Sequence, residues 1–216
     1  MKRLCNIVIA VAAAGALACS CSAVGVYDLR CEGLEEPLAI DSGTPHFSWK
    51  RLAGSGTAQQ AYQIEVASSQ QALLAGEADL WQSGRVESDA QVMVPYGGTE
   101  LASRQRCWGR VRTWEGGRAS AWSSPQRFGV GILDGMRGRY IGAVPGSSAL
   151  LRKKFDVARG FSQAVLYVNS LGYQEVYLNG QKAGRAVLSP AVSQLDRHSL
   201  IMAYDVTGLL REGEND

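Results

Sequence analysis

The sequence predicts an all-β chain, two β-sandwich units in tandem. Three observations carry that prediction. Short segments rich in β-branched and aromatic residues recur at close intervals, separated by turn residues. Glycine is frequent, at 25 of 216 residues, and Trp and Tyr are well represented, which suits many short strands and tight turns. One dipeptide, Asn179-Gly180, is a hairpin signal in its own right. A length of 216 residues leaves room for one or two domains.

The first unit is predicted over residues 24–131. Asp28-Leu-Arg-Cys-Glu32 opens it, and Pro37 with Asp41-Ser-Gly-Thr-Pro45 supplies turn chemistry. Phe47-Ser-Trp49 reads as a short strand and Gly54-Ser-Gly56 as a loop. Tyr62-Gln-Ile-Glu-Val-Ala67 alternates, with Tyr62, Ile64 and Val66 on one face and Gln63 and Glu65 on the other. Gln70 to Ala78 has room for one helical turn. Asp79–Gly84 and Val92–Val94 are further strands, with a turn over Pro95-Tyr-Gly-Gly98. The best-patterned strand is Arg106-Cys-Trp-Gly-Arg-Val-Arg-Thr-Trp114, and Glu115-Gly-Gly117 turns it into Ala121-Trp-Ser-Ser-Pro125 and Arg127-Phe-Gly-Val130. Strands at this spacing argue an immunoglobulin-like sandwich, and the closing hairpin resembles that of fibronectin type III modules.

Residues 132–138 are glycine-rich and patternless, a predicted linker. The second unit, 139–216, is predicted as an incomplete, jelly-roll-like sandwich. Its strands are Ala149–Phe155, Gln163–Asn169, Glu175–Gly180 and Leu200–Thr207. Asn179-Gly180 predicts a type I′ turn, because both central residues need positive φ. Leu209-Leu210 before Gly213 suggests a helical turn and its stop. Leu209 to Asp216 is read as a turn, with the chain ending where the next strand would begin. Four or five strands with a raw edge do not complete a sandwich.

The N-terminus reads as a leader over residues 1–23. Lys2 and Arg3 precede an apolar run, Ile7 to Ala18, too short to cross a bilayer as a helix. Ala16-Leu-Ala-Cys19 resembles a bacterial lipobox, which makes Cys19 the expected lipid attachment residue, with Cys21 the second candidate. Cleavage after Ala23 as an ordinary secretory signal is the alternative. Either way the mature chain is expected outside the cytoplasm, in the periplasm or at the cell surface of a bacterium. Beyond the leader, Cys31 and Cys107 remain. A bridge between them is chemically permitted there, and two buried thiols is the plainer reading. The formal charge of +2 falls to near zero without Lys2 and Arg3. No basic block offers a footprint for nucleic acid.

Several segments together resemble the N-terminal modules of bacterial α-L-rhamnosidases. They are Asp28–Glu32, Pro45-His-Phe-Ser-Trp49, Ala61–Ser68, Leu80-Trp-Gln-Ser-Gly84 and Ser120-Ala-Trp-Ser123, then Leu171-Gly-Tyr173, Tyr177-Leu-Asn-Gly180, Tyr204-Asp-Val-Thr207 and Glu212-Gly-Glu-Asn215. Their order and spacing hold across nearly the whole chain after the leader. The last pair of segments alone also fits sandwich domains of β-galactosidase-like enzymes. The resemblance implies an exported, inverting glycoside hydrolase that removes terminal rhamnose from glycans. Such chemistry needs an acid and a carboxylate base spaced widely enough for a water. In the family those groups sit in a helical barrel downstream, so the resemblance carries no catalytic residue onto this chain. Two departures stand out. Gly109 replaces an aromatic inside the long strand, implying either a bulge that swings Trp108 inward or a thinner core. Val192 and Leu195 stand where the family commonly carries Trp and Tyr.

The remaining candidates weigh toward structural roles. His46 and His198 are far apart and flank strands. No Cys/His set has zinc spacing, there is no nucleophile elbow, and Gly54-Ser-Gly56 lacks a dinucleotide-loop pattern. The acid pairs Glu35-Glu36 and Glu212 with Glu214 suit solvated faces. Tyr173, beside Gly172 at a strand end, is the one possible sugar contact singled out, since aromatic faces suit pyranose rings. No cofactor and no metal is expected. The expected partner is a rhamnose-containing glycan, with membrane association only through a lipid anchor. The chain reads as non-catalytic accessory modules of a rhamnosidase. A stand-alone surface glycan-binding lipoprotein is the rival from another class, and a partial reading frame a third possibility.

Overall fold

A computed structural model describes residues 25–52, 58–142, 144 and 150–216. The predicted leader with Cys19 and Cys21, the Gly54-Ser-Gly56 loop and Ala149 lie outside the described residues.

The first part of the chain carries β1 (Val26–Cys31), β2 (His46–Arg51), β3 (Ala61–Ala67), α1 (Gln70–Ala75), β4 (Trp81–Gln82), β5 (Val86–Glu87), β6 (Val94–Pro95), β7 (Arg106–Glu115), β8 (Arg118–Ala119) and β9 (Gln126–Gly129). Two antiparallel sheets form. One has the order β1-β2-β6; the other is β4-β3-β7-β8, with β5 also on β3 and β9 on β7. Fifteen buried residues fill the space between them, including Leu29, Phe47, Trp49, Ile64, Val66, Val111 and Phe128. The Phe47 ring meets Phe128 edge-on at 5.5 Å. This is the sandwich that strand alternation foretells.

Strand β7 shows why alternation suffices. Cys107, Gly109, Val111, Thr113 and Glu115 are buried, while Arg106, Trp108, Arg110, Arg112 and Trp114 face outward. The departure at Gly109 resolves as the thinner core. The β3–β7 register runs unbroken through Val66↔Gly109 and Ala67↔Trp108, so no bulge turns Trp108 inward. A Cβ at Gly109 would meet Phe128 at 3.7 Å and Leu29 at 3.8 Å. A space of about 10 Å³ lies beside Gly109, with Leu29, Phe47 and Phe128 in its lining.

Local chemistry sets several boundaries. Ser69 caps α1 by accepting from the Ala72 N–H, and Gly76 closes it in the left-handed region. Gly116 and Gly117 both take positive φ, 54° and 77°, so the β7–β8 hairpin turns directly into Arg118. The expected strand over Val92–Val94 instead begins at Val94, because Met93 sits at φ 52°. It runs through Pro95, which an edge strand tolerates. The strand expected over Asp79–Gly84 shrinks to Trp81–Gln82, and Gly84 at φ 63° turns the chain into β5, which sequence reading missed.

The later part carries β10 (Phe155–Val157), β11 (Val165–Asn169), β12 (Tyr177–Leu178), β13 (Gln181–Lys182), β14 (Ile201–Asp205) and β15 (Gly213–Asn215). They pair as three two-stranded antiparallel ladders, β10-β15, β11-β14 and β12-β13. Asn179 and Gly180 at φ 50° and 80° make the predicted hairpin turn. Buried Leu178, Ala183, Tyr204 and Val206 gather half-buried neighbours such as Leu166, Val168 and Met202. Leu209 and Leu210 close a single turn, both N–H groups donating to the Val206 carbonyl. One expectation fails here. The last residues are a strand rather than a turn: Gly213–Asn215 pairs with Phe155–Val157. Asn215 explains it. Its fully buried amide donates to the Arg211 and Gly213 carbonyls and accepts from Asn179 and the Arg211 N–H, pinning the tail to the fold.

Candidate functional site

The outward residues of β7 build a feature that sequence reading did not find. Arg85 lies over the Trp114 ring at 5.1 Å, and Arg112 over the same ring at 4.9 Å. Arg112 also lies 4.5 Å from Trp122, which Arg110 meets at 4.4 Å. Guanidinium and indole thus alternate as a ladder across the sheet. Arg110 donates twice to Glu65 (2.8 and 2.7 Å), and Arg112 donates twice to Gln63. The Ser120-Ala-Trp-Ser123 motif sets Trp122 in place. The Ser120 and Ser123 hydroxyls accept from the Thr113 and Val111 N–H groups, while their own N–H groups donate to the same residues' carbonyls. The consequence for function is direct. The Trp114 and Trp122 rings already hold guanidinium cations, which reduces the aromatic surface left for a sugar ring. The legible signal was the alternation Arg110-x-Arg112-x-Trp114 beside a Trp-Ser motif.

The acids follow one pattern. Among the described residues, every carboxyl whose titration is displaced is displaced downward. Lys50 and Arg30 hold Asp28 low, and hydrogen bonds from Ser68 hold Asp79 low. Arg104, with Ser103, lowers Asp134 to about 2. Lys182 lowers Glu175, and the Thr207 hydroxyl lowers Asp205. A general acid for glycoside cleavage needs the opposite displacement. Glu212 and Glu214 are exposed edge groups facing Arg159 and Lys154 respectively, and Glu35 and Glu36 are exposed. Glu32 accepts from both the His46 ring and the His46 N–H, while His198 is exposed. Cys31 and Cys107 are buried free thiols, and burial pushes the Cys107 thiol up to about 12.

Tyr173 is 61% exposed. Its neighbour Gln174 donates its N–H to the Ser189 carbonyl at 2.7 Å. The Gln174–Ser189 bridge thus ties the strand end that carries Tyr173 to the residue preceding Pro190. Val192 and Leu195 are exposed. Cys19 lies outside the described residues.

Residues 26–134 match the family described as Rha78A-like, N-terminal immunoglobulin domain, and residues 159–216 match the α-L-rhamnosidase N-terminal domain. An α-L-rhamnosidase of Formosa agariphila is 34% identical over 209 residues, 83% of this chain and 22% of its own length. The structure of α-L-rhamnosidase from Dictyoglumus thermophilum superposes with a TM-score of 0.76 at 29% identity, over 88% of this chain and 24% of that one. The Streptomyces avermitilis α-L-rhamnosidase complexed with L-rhamnose is similar at a TM-score of 0.51 and 26% identity, over 89% and 21% of the two chains. The chain spans between a fifth and a quarter of the length of these relatives.

Proposed function

This chain belongs to the α-L-rhamnosidase family, and from that membership we propose that it forms the N-terminal accessory β-modules of an exported enzyme that hydrolyses terminal rhamnose from glycans. The observation that carries the reading is the succession of two family domains along this one chain, residues 26–134 then 159–216. One relative is complexed with L-rhamnose, which supports a rhamnose-bearing glycan as the substrate of the whole enzyme.

Within that enzyme these modules act without cutting bonds. The downward displacement of Asp28, Asp79, Asp134, Glu175 and Asp205 fits this, since an inverting pair needs a protonated acid opposite a base across a water. The large apolar side chains left exposed on the second unit, Val187, Leu188 and Val192 among them, suit a surface covered by further protein. The leader supports export, with Cys19 acylated and the mature chain tethered to a membrane by lipid.

Two measurements test the reading. The 216-residue chain incubated with an aryl α-L-rhamnoside is expected to release no phenol above a blank; turnover would overturn the accessory role. Mass spectrometry of the mature N-terminus is expected to find diacylglyceryl-Cys19. An unlipidated start at Val24 would contradict the anchor.

A further inference from the structure

Between the two units lies a cavity of about 130 Å³. By the same measure a single water needs only about 10–15 Å³, so the space admits a group of several heavy atoms. Its lining residues include three arginines, Arg104, Arg106 and Arg127, with Gln105, Gln163 and Tyr167, and no carboxylate.

The arginines arrive there by register. Arg106 lies opposite Gly129 and Arg127 opposite Trp108 on the β7–β9 pair, so both stand on the outward face, beyond the end of the guanidinium–indole ladder. On that face Glu65 is already committed to Arg110, and Glu87 to Arg85. Arg104 is answered from outside the cavity by Asp134 at 2.6 Å. Asp205 feels the Arg127 charge but is itself bound by the Thr207 hydroxyl at 2.7 Å. Arg106 and Arg127 form no ion pair among the described residues. The second unit supplies the opposite wall through Gln163 and Tyr167, and burial pushes the Tyr167 phenol up while Arg104 pulls it back. Three arginines around one largely apolar cleft place like charges close together, an arrangement an anion relieves, and planar guanidinium forks match the oxygens of carboxylates and sulfates.

We propose that this cleft binds one oxyanion group carried on a sugar, a uronate carboxylate or a sulfate ester, with Arg106 and Arg127 as its direct ligands. The anion chemistry stands on the arginines; that a sugar carries the anion rests on the proposed family function. Bound at the junction, the group would also fix the second unit against the first.

The test is calorimetric titration of the 216-residue chain with D-glucuronate, sodium sulfate and D-glucose at constant ionic strength. Glucuronate is expected to give a saturable heat and glucose none. Arg106→Gln and Arg127→Gln are each expected to weaken binding by about tenfold or more, with Arg85→Gln, on the ladder away from the cavity, unchanged. Circular dichroism melts check that each variant is folded. Saturable binding of sulfate without glucuronate would overturn the uronate as occupant and leave the sulfate ester. No saturable heat from either anion would overturn the site, as would undiminished affinity in folded Arg127→Gln. Because the assay cuts no bond, its outcome is independent of whether the whole enzyme proves to be a rhamnosidase.

Discussion

Residues 26–134 gather fifteen buried side chains into one cluster, whereas residues 155–216 gather four. The first unit has strands of up to ten residues and two sheets that face each other; the second has three ladders of two strands, none longer than five residues. Both obey the same alternation and turn rules, so local patterning is not what separates them. A sheet buries its inner face only when another layer meets it. In the first unit β1-β2-β6 meets β4-β3-β7-β8. In the second, Val187 and Val192 stay 75% and 85% exposed. The lesson is that a β pattern specifies strands and faces, and stability then depends on whether the opposing layer is present.

The largest effect that would sharpen this contrast is a core truncation. Phe47→Ala should cost about 3–5 kcal/mol, read as a shift in the denaturant midpoint, and Val206→Ala in the second cluster roughly half of that or less. Equal costs would break the contrast. Next is the pair beneath the ladder. Arg110→Met strands Glu65, itself only 7% exposed, and should cost about 3 kcal/mol. A neutral result would mean the ladder leaves the carboxylate hydrated.

Asn215→Ala should cost about 1–3 kcal/mol but only locally, read as faster amide exchange along β10–β15 with the first unit's melt unmoved. A matching shift in the first unit would show that the two units unfold as one. The thiols probe the first core by pH. Cys107 is pushed from 9.0 to about 12 by burial, and Cys31 still higher. The stability tied to keeping them protonated is full below pH 9 and is lost as pH rises through about 12, so the midpoint should fall only above pH 9. A disulfide-exchange reagent at pH 8 should label neither thiol until denaturant is added. The smallest effect is a gain. Gly109→Ala places its methyl at ordinary contact distance from Phe128 and Leu29 and should stabilise by about 0.5–1 kcal/mol, in part by restricting the unfolded chain.

Much of this was legible in the residues themselves. The inward–outward alternation of Arg106–Trp114 and the Asn179-Gly180 turn both stand as read, because each depends on neighbours one or two positions away. The boundary at Val94 and the tail strand Gly213–Asn215 were not. They depend on Met93 adopting positive φ and on Asn215 finding partners 36 residues back at Asn179 and nearby at Arg211. The candidate site was less legible still. Tyr173 could be singled out, but the pairing of its neighbour Gln174 with Ser189, fifteen residues on, could not.

By itself, then, the sequence determined the all-β class, the strand faces and the family resemblance, since these rest on short-range periodicity and on motifs of a few residues. Only the tertiary structure decided that Trp114 and Trp122 each meet two arginines, that Gly109 thins the core without a bulge, and that Arg104, Arg106 and Arg127 meet Gln163 and Tyr167 around one cavity. Those outcomes need residues far apart in the chain to share a few ångströms, and no local pattern encodes which distant side chain will fill a given space.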